Sequence, residues 1–117
     1  MLVDQEKIIK PWGYEIIWAR SDKYIGKILV INEGHKLSRQ YHKLKEETII
    51  VQQGVLSLEI GANEYKKEIK LTEGQSFHIE PNVIHRFVAP SGQVKLYEVS
   101  TTELADVIRL EDDYNRG

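Results

Sequence analysis

The chain has 117 residues, 41% of them hydrophobic and 29% charged, with a net charge of −2, so it suits one domain with a modest core. No basic block favours nucleic acid or an anionic membrane, and without cysteine both disulfides and thiolate ligands are excluded. No apolar run reaches the roughly 18 residues that span a bilayer, and the acid-containing start MLVDQEKIIK lacks the apolar stretch of a secretory signal, so a cytoplasmic protein is expected.

Residues 1–10 alternate loosely, as an edge or exchanged strand would, until Pro11-Trp12-Gly13 interrupts them. Tyr14 to Ala19 reads as a strand, and Ser21-Asp22 turns the chain into a second one, Tyr24 to Ile31, closed by Asn32-Glu33-Gly34. Strands follow at 37–42, 47–52 and 55–60, the last ending at a hairpin-like Gly61-Ala62-Asn63 before 64–71 returns. Phe77 to Glu80, His85 to Val88 and Val94 to Val99 complete about nine short strands, with turn residues every 8–12 positions. At the tail, Thr102 is placed to cap a helix over 103–110, with Leu104, Val107 and Ile108 on one face. The expectation is one small all-β barrel with a short C-terminal helix.

The chemistry concentrates in 34–54, GHKLSRQYHKLKEETIIVQQG. Alternate side chains of a strand share a face, so Gln40 and His42 point the same way. Glu47 opens the next apolar strand, which returns its carboxylate toward the pair. His85 follows the Pro81-Asn82 turn far downstream. One amide oxygen, two imidazoles and a carboxylate form a ligand set for a divalent metal, open to zinc, iron, manganese, nickel or cobalt. Two further charges interrupt apolar strands. Lys27 shares strand parity with Leu29 and Ile31, and Glu98 stands within Leu96-Tyr97-Glu98-Val99. Each is a candidate for proton transfer or for holding an anion or cation, although Lys27 also reads as a lysine snorkelling at a barrel mouth. His35 and His78 read as surface residues, Trp12 and Trp18 as core or interface aromatics, and Asp112-Asp113 as a salt-bridged tail.

These residues resemble the cupin superfamily. Gly34, Gln40, His42, Glu47 and Gly54 match the spacing of its first motif, with Gln40 in place of the first histidine, and Gly74, Pro81 and His85 represent the second, whose closing asparagine is Ala89 here. Lys10-Pro11-Trp12-Gly13-Tyr14, Leu37-Ser38-Arg39-Gln40-Tyr41-His42 and the ending from Asp106 to Arg116 are similar to stretches of the type II phosphomannose isomerase domain. That family often fuses the domain to a mannose-1-phosphate guanylyltransferase. The chain departs from the family at Arg39 and at Thr48-Ile49, and it lacks histidines after His42.

The resemblance implies a jelly-roll barrel holding zinc and an isomerase that interconverts mannose 6-phosphate and fructose 6-phosphate. On that reading Gln40, His42, Glu47 and His85 hold the metal, Glu98 or Lys27 carries the proton, and Lys27, Arg39 and Arg86 are candidates for clamping the phosphate. Two other readings stand beside it. One is a metal-containing cupin that binds or senses a sugar without turnover. The other is an iron-dependent dioxygenase built on two histidines and a carboxylate, against which the tail and the Pro-Trp-Gly match argue. A homodimer is expected, because the apolar segment Ile8 to Ile17 would otherwise leave an open edge.

Overall fold

The structure is a computed structural model and describes residues 1–116. Its strands are β1 (Glu6–Lys10), β2 (Gly13–Arg20), β3 (Ile25–Ile31), β4 (Arg39–Tyr41), β5 (Glu47–Gln53), β6 (Leu56–Ile60), β7 (Lys67–Leu71), β8 (Ser76–Ile79), β9 (His85–Val88), β10 (Val94–Ser100) and β11 (Ile108–Glu111). They form two antiparallel sheets, ordered β1-β2-β3-β10-β5-β8 and β11-β4-β9-β6-β7. The all-β barrel expected from the turn spacing, and the jelly roll implied by the resemblance, are the architecture found. Among the described residues, no helix is long and apolar enough to cross a membrane.

Period-two alternation explains which residues face inward. In β3, Ile25, Lys27, Leu29 and Ile31 are all buried. In β10, buried Val94, Leu96, Glu98 and Ser100 alternate with more exposed Lys95, Tyr97 and Val99. Leu29, Ile49, Val51 and Leu96 from the six-stranded sheet meet Leu56, Leu58 and Phe87 from the other in one core. Each such side chain contributes about 1.5–3 kcal/mol when fully buried. Trp12 joins the core, whereas Trp18 is partly exposed on the outside of the six-stranded sheet. Gly13, at φ 152°, brings β2 so close to β3 that a Cβ there would overlap the Val30 carbonyl. The glycine of the Lys-Pro-Trp-Gly stretch is therefore required by strand packing.

The core fills one end of the barrel. Toward the other, the inward positions turn polar: Glu15, Lys27, Glu47, His85 and Glu98 are all buried.

Two segments differ from expectation. The return strand predicted at 64–71 begins with a single 3-10 turn at Asn63–Tyr65, and β7 starts at Lys67. The helix predicted over 103–110 is replaced by turns to Val107 and then β11, antiparallel to β4. The cause is competition for the backbone and for Asp106. β4 offers an open edge to the β-branched pair Val107-Ile108, and the Asp106 carboxylate is engaged by amides outside its own segment.

Candidate metal centre and cationic cavity

β4 carries Gln40 inward, and the chain continues to His42 at the strand's exit. β9 lies beside β4, with Gln40 directly opposite His85. β5 begins with Glu47 in the facing sheet, so the three potential ligands His42, Glu47 and His85 meet between the sheets, with their ligand atoms within 4.8 Å of one another. They are 3%, 2% and 1% exposed. Glu47 Oε1 lies 3.4 Å from His85 Nε2, and Oε2 lies 3.9 Å from His42 Nε2.

Hydrogen bonds on the far side of each ring set the tautomers. His42 Nδ1 donates to the Asp106 carbonyl at 2.6 Å, and His85 Nδ1 to the Val83 carbonyl at 2.9 Å. A carbonyl oxygen can only accept, so both Nδ1 atoms carry protons. In a neutral ring of this tautomer Nε2 presents a lone pair, and among the described residues both Nε2 atoms are buried without a hydrogen-bond partner. Burial holds the His42 imidazole below its ordinary pKa, outweighing Glu47, so this ring is neutral at physiological pH. Burial opposes ionisation of Glu47 as well, but the His85 ring and the Lys45 ammonium hold its carboxyl well below the usual range. Two lone pairs and a carboxylate facing one point are a donor set for a divalent cation, which would satisfy the two orphaned nitrogens. Gln40 borders the same cavity as His42. Its Oε1 accepts from Ser38 Oγ at 2.7 Å, which leaves its second lone pair available.

A buried lysine that the sequence reading overlooked lies next to this cluster. Lys45 Nζ is 2.9 Å from Glu47 Oε2 and 3.3 Å from Glu98 Oε2. Despite burial, the two carboxylates hold its ammonium above the ordinary lysine value. Burial first, and then the adjacent Glu47 charge, push the Glu98 carboxyl up to about 7. The loop carrying Lys45 is held by Asp106, whose carboxylate accepts from the amides of Lys43, Leu44 and Lys45 at 3.1, 2.7 and 2.9 Å. One residue thus fixes the His42 tautomer through its carbonyl and the Lys45 loop through its carboxylate.

The cluster opens into a small, partly open cavity of about 110 Å³. Gln40, His42, Lys27 and Lys45 border it, together with Arg109 from β11. Lys27 faces inward as its parity implied and meets Glu15 at 3.4 Å. Glu98, like Glu47 and His85, is buried beyond the cavity wall, in contact with Lys45, which borders it. Arg39 and Arg86 lie elsewhere, as neither borders the cavity. Arg39 binds Glu59, Glu111 and the Gly61 carbonyl, while Arg86 binds Glu111, Asp113 and the Leu37 carbonyl. These two arginines fasten the C-terminal segment to the outside of β4 and β9. His35 joins that fastening, its Nδ1 2.8 Å from Tyr114 Oη, and exposed His78 meets Glu46.

Comparison with known proteins agrees with this architecture. The family described as mannose-6-phosphate isomerase C-terminal matches residues 2–112. The xanthan biosynthesis protein XanB of Xanthomonas campestris pv. campestris is 30% identical over 114 residues, covering 94% of this chain and 24% of that protein. The chain thus spans about a quarter of the length of the curated relatives it matches. Among solved structures, the capsular polysaccharide assembling protein CapF from Staphylococcus aureus superposes with a TM-score of 0.80 at 12% identity, covering 92% of this chain and 34% of that one. KdgF from Halomonas sp. gives 0.71 at 17% identity, covering 85% and 87%. Oxalate decarboxylase from Bacillus subtilis gives 0.77 at 14% identity, covering 92% and 30%. At such identities these structures share the fold alone, and that fold is the cupin barrel. With nearly its whole length matched, the chain belongs to the mannose-6-phosphate isomerase C-terminal family of the cupin superfamily.

Proposed function

We propose that this protein is a metal-dependent aldose–ketose isomerase of a sugar phosphate, with mannose 6-phosphate and fructose 6-phosphate as the favoured pair. The observation that carries the reading is the convergence of two orphaned imidazole nitrogens and Glu47 beside a cavity rich in cations. Zinc is the favoured ion, with Gln40 as the fourth protein ligand beside His42, Glu47 and His85. A divalent ion held there supplies Lewis-acid stabilisation of the negative charge that develops on the C1 and C2 oxygens of an open-chain sugar.

The remaining work is proton transfer, and it falls to the Lys45–Glu98 pair. Glu98 takes the proton from C2 of the aldose and returns it to C1, with Lys45 swinging clear of the cavity wall or relaying the proton. The second proton moves between the two sugar oxygens, so the substrate and product have the same composition. Lys27, the other candidate from sequence, touches the cavity directly but is committed to Glu15. Glycolytic-type sugar phosphates of five or six carbons are the substrate class to assay, with and without chelator. Chelator-sensitive isomerisation that Glu98→Gln abolishes supports the assignment. No turnover by the metal-loaded protein across such substrates would overturn it.

A second reading is favoured by one specific observation: Glu98 is buried beyond the cavity wall, in contact with Lys45. A base that cannot reach substrate fits a metal-containing sugar-binding cupin without turnover. Saturable sugar-phosphate binding with no isomerisation would select it. A soluble homodimer located in the cytoplasm remains part of the proposed setting.

A further inference from the structure

The cavity has an end built from unbalanced positive charge. Among the described residues, each of the other arginines has a carboxylate partner: Arg20 meets Glu6, Arg39 meets Glu59 and Glu111, Arg86 meets Glu111 and Asp113, and Arg116 meets Asp112. Among these residues Arg109 has no such partner, and its Nε is buried without a hydrogen bond to any of them. Arg109 stands directly opposite Gln40 across the β11–β4 pairing, so it shares the inward face of Gln40 and borders the same cavity. Lys10 and Lys27, also on the cavity wall, share the single carboxylate of Glu15 at 3.9 and 3.4 Å. The charge of Lys45 is taken up by Glu47 and Glu98.

That leaves one positive charge on Arg109 and one from the Lys10–Lys27–Glu15 group. A half-buried guanidinium with an orphaned donor is costly unless an anion completes it, and its planar fork suits two oxygens of one phosphate. We propose that Arg109, together with Lys10 and Lys27, forms the anion subsite of the cavity and takes the phosphate group of a phosphorylated sugar. This rests on reading the cavity as a sugar-phosphate site. It moves the clamp from Arg39 and Arg86, which are saturated by carboxylates, to the C-terminal strand.

Calorimetric titration of the metal-loaded full chain with inorganic phosphate, mannose 6-phosphate, mannose and glucuronate tests the subsite. Among the described residues Arg109 makes no side-chain hydrogen bond or ion pair, so Arg109→Met should melt near the wild-type temperature. It should bind phosphate and mannose 6-phosphate roughly tenfold to a hundredfold more weakly. Arg109→Lys should recover part of the loss. Should Arg109→Met fail to fold, Lys10→Met, at a more exposed side chain, carries the same test and should lose phosphate affinity in the same sense. Phosphate affinity unchanged in the folded variants would overturn the proposal, as would a wild type that binds neither phosphate nor mannose 6-phosphate. Preference for glucuronate over mannose 6-phosphate would overturn the assignment to phosphate. The isomerase reading fails separately. Arg109-dependent phosphate binding without turnover keeps the subsite and removes the isomerase. Turnover with a mannose 6-phosphate KM that Arg109→Met leaves alone does the reverse.

Discussion

Two buried imidazole nitrogens without partners make the metal-free protein a strained reference state, and metal should show itself as stability before any reaction is assayed. Each unsatisfied buried polar atom costs about 1–3 kcal/mol, and His42 Nε2 and His85 Nε2 are both of this kind. A ligand that binds only the native state adds about 2.7 kcal/mol at a hundredfold excess over its dissociation constant. For a chain of this length ~4 °C per kcal/mol is a reasonable conversion, so the melting midpoint should rise by about 10 °C. The assay is thermal unfolding of chelator-treated protein titrated with zinc, manganese, iron(II), cobalt and nickel, followed by elemental analysis. His42→Ala and His85→Ala should lose both the shift and the stoichiometric metal. His78→Ala should keep both, since that ring is exposed and pairs with Glu46. A wild type that none of the ions stabilises, or a His42→Ala/His85→Ala double variant that retains full metal, would refute the reasoning.

Other outcomes follow from neighbouring features. Glu98→Gln should reduce turnover about 10²–10⁴-fold at unchanged metal content, and wild-type turnover would remove Glu98 from the mechanism. The same variant should alter the pH dependence of metal-free stability. The Glu98 carboxyl is raised from 4.5 to about 7, so the native state keeps a proton that the unfolded chain loses; stability falls as pH rises through that window, and the variant should flatten the slope in denaturant titrations. Arg39→Leu removes a buried guanidinium from Glu59, half-exposed Glu111 and the Gly61 carbonyl and should cost about 1–3 kcal/mol in urea unfolding, while phosphate affinity stays unchanged. A homodimer should appear by light scattering at micromolar concentration. Trp18, Ile50, Tyr97 and Val99 are partly exposed on the outward side of the six-stranded sheet, and a monomer mass would sink the expectation.

What the sequence disclosed was set by alternation and spacing. Gln40, His42, Glu47 and His85 were legible because strand parity and turn residues place them without knowledge of partners, and Lys27 because its inward neighbours are aliphatic. Lys45 was passed over inside a polar run, though its parity with Glu47 and Ile49 pointed inward. Arg39 and Arg86 stood with Lys27 as candidates for the phosphate because a clamp needs cations at the barrel mouth. Both lie on the opposite strand face, where Glu111, 72 residues after Arg39, and Asp113, 27 residues after Arg86, claim them. Arg109 was hidden for a related reason. A segment read as a helix gives no strand parity, and only the open edge of β4 determines that 108–111 is extended.

The two roles of Asp106 have a consequence for the order in which the protein is made. The carbonyl that orients His42 belongs to a residue 64 positions later in the chain. As synthesis proceeds, His42, Glu47 and His85 emerge well before the segment that aligns one of them. A nascent chain halted before Asp106 has the three donors but neither the fixed ring nor the pinned loop at 43–45. On the proposed metal-site reading, high-affinity capture should therefore begin only when the last strand has docked.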